Sequence, residues 1–175
     1  MRRVLLASVA LVVLVGIAYQ LLGRESAVEP RVIVPTPTAT IGTGSEAVGV
    51  SADGVVLDWL TLPADSQLPR LPLSEPPAKE RLGGSLLQQA LVLGAAPATL
   101  RPYVESSYYG ESGVDVELAS GIELRFGEAT RAEEKWKAAA AVLANPSIAA
   151  LDYVDLHVPR RPAVYGSGHT LPPVP

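Results

Sequence analysis

No cysteine occurs in the 175 residues, which excludes disulfides, thiolate metal sites and a cysteine nucleophile. Histidine is nearly as scarce. His157 and His169 are the two present, too few for a histidine-based metal centre or a convincing general base. Neither a cofactor, a metal nor a small-molecule substrate is expected. Basic charge is also in deficit, with 14 Lys and Arg against 18 Asp and Glu for a net −4. That is the wrong balance for nucleic acid, which needs a basic face. The glycine-containing stretches do not supply chemistry either. GTGSEA, residues 42–47, lacks the strand before and helix after that a dinucleotide loop requires, and Gly166-Ser167-Gly168 lacks the strand-to-helix elbow of a hydrolase. Asp152 and Asp155 read as solvated strand residues rather than paired acids.

Apolar residues are plentiful but unevenly placed. From Val4 to Leu22, VLLASVALVVLVGIAYQLL carries no charge, and a helix rising about 1.5 Å per residue over this run spans a bilayer core of roughly 30 Å. Two readings share it. Arg2, Arg3 and the small residues at Gly16-Ile17-Ala18 resemble a cleaved signal peptide, whereas the apolar residues continuing through Leu21 and Leu22 favour an anchor. With the arginines at the short amino-terminal end, the expected topology is amino terminus inside and carboxyl domain exported. Residues 1–23 are therefore expected as cytoplasmic start and transmembrane anchor. Residues 24–47, rich in Pro, Thr and Gly, are expected as an extended spacer.

From residue 48 the pattern is that of an α+β domain in which an antiparallel-rich sheet packs against two helices, ending near residue 166. Asp53-Gly54 between two apolar runs signals a two-residue hairpin of type I′, which needs positive φ at both positions. A proline-rich passage, Leu62 to Pro77, then crosses the surface. The first helix follows, starting near Ser85, with Leu82, Leu86, Leu87, Ala90, Leu91 and Leu93 at helical spacing. Tyr103 to Tyr109 reads as a strand whose tyrosines either stack across the sheet as ordinary packing or line a binding groove. Val114, Val116 and Leu118, then Ile122, Leu124 and Phe126, alternate with Asp115, Glu117, Glu123 and Arg125 around a Ser120-Gly121 turn, giving one apolar and one solvated face. The second helix, Thr130 to Ala144, carries a Thr130/Glu133 capping box, a Glu133–Lys137 pair, and Trp136, Ala140 and Leu143 on its inward face.

The last stretch, LDYVDLHVPRRPAV, begins as a half-buried strand and then meets Pro159 and Pro162. Proline donates nothing to a ladder, so this strand belongs at a sheet edge. Its prolines and arginines either guard that edge or leave it as a rail for a partner's strand. Residues 167–175 carry no packing pattern and are expected as a disordered tail.

Two runs, VDVELASGIELRFGEATRAEEKWKAAAAVL and YVDLHVPRRPAV, resemble the distal half of the extracytoplasmic β domain in the FtsQ/DivIB cell division family. VSADGVVL and the single-span layout are similar to it as well. The resemblance departs in two places. Only the Pro/Thr-rich stretch stands where the family carries a POTRA domain, and Pro-Arg-Arg-Pro with His157 replaces a plainer final strand in which arginine is common at the histidine's place. The resemblance implies a non-enzymatic divisome scaffold in the cell membrane, enriched at the division septum. Its exposed last strand would accept a strand from the small bitopic proteins FtsB and FtsL and so help control septal wall synthesis. The matching positions are Tyr153, Asp155, His157 and Val158, then Ala163, Val164 and Tyr165, with Arg160 and Arg161 facing an acidic partner. An unrelated anchored or secreted extracytoplasmic binding module is the alternative.

Overall fold

The structure, a computed structural model, describes residues 34–63 and 66–172. The apolar run at 4–22 and the first part of the expected spacer, residues 24–33, lie outside the described residues. Among the described residues no helix is long and apolar enough to cross a membrane.

Among the described residues eight strands and two α-helices follow in chain order: β1 (Pro37–Ile41), β2 (Val48–Ser51), β3 (Val56–Leu57), α1 (Gly84–Gly94), β4 (Val104–Gly110), β5 (Gly113–Leu118), β6 (Glu123–Gly127), α2 (Ala132–Leu143), β7 (Ala150–Asp155) and β8 (Ala163–Thr170). The end of the expected spacer is thus a strand. In β1 the threonines and Ile41 are β-branched, Pro37 occupies the first strand position where a missing N–H is tolerated, and Thr38 to Ile41 are buried. Thr38 Oγ1 donates to the Val50 carbonyl at 3.4 Å, so a hydroxyl that reads as surface chemistry is satisfied inside.

The β2–β3 connection is one residue longer than expected. Gly54 N donates to Ser51 O at 2.9 Å and Ser51 N to Val55 O at 3.0 Å, while of the loop residues only Gly54 has positive φ, at 80°. That is a three-residue loop closed by a left-handed glycine rather than type I′. Asp53 keeps negative φ and accepts instead from Ser51 Oγ at 2.6 Å and pairs with Arg81 at 2.8 Å.

Strands β1–β2–β3 and β4–β5–β6–β7–β8 form two sheets stitched by one residue of the proline-rich passage. Arg70 bridges Thr40 on one side and Ser106 on the other, through Thr40 N to Pro69 O (2.9 Å), Leu71 N to Thr40 O (2.8 Å) and Arg70 N to Glu105 O (3.1 Å). In the five-stranded sheet every neighbouring pair is antiparallel except β6–β7, which is parallel. A parallel return needs a crossover, and α2 supplies it.

Both helices cover one face. The Phe126 and Trp136 rings pack at 4.9 Å between centroids, and Trp136 Nε1 donates to Val92 O at 2.7 Å, tying α2 to α1. The periodicity of α1 points slightly off its true face. Leu91 is exposed while Gln89 is buried, accepting from Ser107 Oγ at 2.9 Å. In α2 the inward residues are Trp136, Ala139 and Leu143, with Ala140 half-buried.

The expected capping box does not form. The N-cap is Arg131, in left-handed conformation at φ 59°, with no side-chain cap, and the ion pair of the first turn is Arg131–Glu134 at 2.6 Å. The helix starts one residue too late for Thr130 to cap it. Lys135, buried, donates through Nζ to Phe126 O (2.8 Å) and Glu128 O (2.7 Å), satisfying the carbonyls of the strand-to-helix turn that a cap leaves alone.

Candidate protein-docking edge

The carboxyl-terminal segment is two strands, not one. A proline has no N–H for a ladder, and Pro159 and Pro162 both fall in the connection 156–162, leaving β7 and β8 free of proline. The tail expected from residue 167 is also partly strand, since β8 runs to Thr170. These corrections move the edge. Tyr153 and Asp155 sit on β7, which is paired on both sides, by β6 and β8, so neither lies on the sheet's edge. His157, Val158, Arg160 and Arg161 lie in the connection, exposed. Ala163, Val164 and Tyr165 lie on β8, exposed along its whole length.

The hydrogen-bonding direction of β8 follows from its neighbours. Leu156 N donates to Arg125 O at 2.9 Å, so Val154 and Leu156 turn their peptide groups toward β6, and Tyr153 and Asp155 turn theirs toward β8. Tyr153 pairs with Tyr165, Val154 with Val164 and Asp155 with Ala163. Ala163 and Tyr165 therefore bond inward, and the N–H and C=O of Val164 point away from the sheet.

The other end of the strand array is closed. Val56 N donates to Glu80 O and Leu82 N to Gly54 O, each at 2.8 Å, covering β3. Among the described residues nothing pairs with the outer side of β8.

The sheet face opposite the helices carries a polar and aromatic array that sequence spacing did not single out. Pairing aligns Glu117, Glu123, Tyr153 and Tyr165 in one row and Asp115, Arg125, Asp155 and Ala163 in the next. The Arg125 guanidinium lies 3.7 Å from the centroid of the Tyr153 ring and binds Glu123. Tyr108 Oη donates to Glu123 Oε2 at 2.5 Å, and burial together with that bond pushes its phenol pKa up. Burial, then the charge of Glu123, pushes the Asp115 carboxyl up to about 6, Arg125 and His157 opposing. Asp155 goes the other way: desolvation raises it, but the His157 amide at 2.9 Å and ring Nδ1 at 2.7 Å outweigh that and hold it low. His157 thus closes its own turn on Asp155. Asp152, read as merely solvated, accepts from Gly168 N at 2.8 Å.

No group of three or more His, Asp or Glu is placed to hold a metal ion among the described residues. What the arrangement offers is backbone: an open rail at Val164, an aromatic row ending at Tyr165, and two cations just before it.

Residues 39–157 match the family model described as cell division protein FtsQ/DivIB, C-terminal. The match begins inside β1 and ends just past β7. No curated protein matches the chain.

Proposed function

The chain belongs to the FtsQ/DivIB cell division family, and on that premise we propose a membrane-anchored, non-enzymatic scaffold of the division machinery. Its extracytoplasmic domain accepts a strand from small bitopic partners, FtsB-like and FtsL-like, on the outer edge of β8, and through them helps control septal wall synthesis. The observation that carries this is the outward N–H and C=O of Val164 on a strand exposed throughout. Strand addition draws affinity from such main-chain groups and specificity from alternate side chains. Of the positions first matched to the interface, Ala163, Val164 and Tyr165 hold the rail, Arg160 and Arg161 flank it, and Tyr153 supports it from the neighbouring strand. Asp155, His157 and Val158 shape the turn that presents it.

The test is affinity capture of the tagged full chain from cross-linked cells, beside Val164→Pro. That substitution deletes the outward N–H and leaves the inward ladder of β8 intact. Coiled-coil bitopic division proteins should be recovered with the unaltered chain and lost with the variant, and a fluorescent fusion should gather at mid-cell. Equal recovery with both chains would overturn the proposal.

A further inference from the structure

The rail on β8 is shorter than β8. Between the pairs Tyr153–Tyr165 and Leu151–His169 the register slips: on β7 only Asp152 lies between, on β8 Gly166, Ser167 and Gly168 do. This is a bulge with two extra residues, and the side chain of Asp152 occupies the space it creates. Oδ1 takes the Gly168 N–H at 2.8 Å. Gly166 sits at φ 85°, and a Cβ there would come within 1.8 Å of Asp152 Oδ2, as one on Gly168 would come within 2.4 Å of Oδ1. Both glycines are required by one carboxylate, and the carboxylate fills what would otherwise be a gap in the ladder. Bulges break an edge as a pairing template.

We propose, resting on the docking role above, that Asp152 is a positioning residue that sets where a partner strand stops. The rail begins after Pro162, which has no N–H to offer, and ends at the bulge, leaving Ala163–Tyr165 as the stretch that a partner pairs. The exposed Arg160 and Arg161 stand at its open end. The occupant this selects is a short extended segment, with a residue packing beside Tyr165 on one face and carboxylates beyond the paired residues on the Arg161 side. A long strand running the length of β8 is refused by the bulge.

The experiment places a photo-cross-linking amino acid at 164, 165, 169 or 170 of the full chain in its host membrane. Partner adducts at 164 and 165 and none at 169 and 170 are expected. Asp152→Ala should spread adducts to 169 and 170 and release the Gly168 amide to exchange while core amides stay protected. Asp152→Asn, whose carbonyl still accepts from Gly168, should retain the original pattern. If Asp152→Ala does not fold, Gly166→Ala displaces the same carboxylate and should spread the adducts alike. Even adducts at all four positions of the unaltered chain, or an unchanged pattern in the alanine variants, would overturn the role of Asp152 while leaving the docking edge in place. No adduct at any of the four would overturn the docking edge itself.

Discussion

The ring of Tyr165 stacks on that of Tyr153, centroids 5.2 Å apart and planes 23° from parallel, and the Arg125 guanidinium covers the other side of Tyr153. Three strands, β6, β7 and β8, are thereby joined by one column of side chains. Because β8 buries no residue of its own, this column, the ladder to β7 and the Asp152–Gly168 bond are what hold it. Tyr153→Leu should loosen β8 alone. Aromatic pairs contribute about 1 kcal/mol beyond area burial, so the inward amides of Ala163 and Tyr165 should exchange roughly 5-fold faster. The amide of Leu124 should not change. Unchanged exchange on β8 would mean that the backbone ladder suffices.

Asp115 gives the domain a pH dependence of definite sign. Its folded value is raised to about 6 from an ordinary 3.8, so between those values the native state keeps a proton that the unfolded chain releases. Stability is highest on this account below the ordinary value and falls as pH rises through about 6. Glu123 and Asp155 are depressed, so their contributions are lost only on acidification below the ordinary carboxylate range. Melting temperature of the full chain should therefore decline from pH 4.5 to 7. Asp115→Asn should flatten that decline, standing above the unaltered chain at pH 7.5 by up to about 3 kcal/mol at 1.36 kcal/mol per unit. Parallel pH profiles for the two chains would remove Asp115 from this role.

The residues where sequence and structure part share a physical cause. Alternation located β5 and β6, and the alanine-rich run located α2, because one face of each is apolar over several residues. What escaped was set by single contacts from distant chain. Thr38 and Thr40 read as spacer, yet their strand is completed by β2 and by Arg70. Asp115 belongs by alternation to the wet face, but the array around Glu123 and Arg125 covers it. The prolines at 159 and 162 truthfully signalled a ladder break. Whether the break lay along one edge strand or between two strands depended on β8, whose Gly-Ser-Gly carries no periodicity and takes its shape from Asp152. The two cations before the rail and the apolar Val164 were legible as edge features. Which peptide groups face outward was not, since it follows from the parallel partner β6.

Lys135 should prove more costly to remove than its charge suggests. Burial lowers its pKa, the carboxylate of Glu128 opposing, yet the ammonium is retained because two carbonyls at the entry to α2 depend on it. Lys135→Met keeps the aliphatic stem and leaves the buried Phe126 carbonyl without its side-chain donor. A loss of about 1 to 3 kcal/mol is expected in denaturant unfolding of the full chain, whereas Lys137→Met, two residues on and on the exposed face, should stay within about 0.5 kcal/mol. Equal effects at the two positions would mean that water replaces the amine.

Arg160 and Arg161 should govern how fast a partner arrives rather than how long it stays. Both are exposed and flank the rail without forming part of the ladder. Charges at the rim of an interface act on encounter, through fields that salt screens over about 8 Å at physiological ionic strength. Reversing both, Arg160→Glu with Arg161→Glu, should slow association with an acidic partner segment and invert the salt dependence of the on-rate, which then rises with salt, leaving the off-rate nearly unchanged. Val164→Pro should do the opposite, raising the off-rate at every salt concentration because it removes a main-chain bond. Stopped-flow or biolayer measurements from low to high salt separate the two effects. If the reversed arginines changed the off-rate as strongly as Val164→Pro does, they would be paired inside the interface, and the boundary of the rail would lie before Pro162 instead of after it.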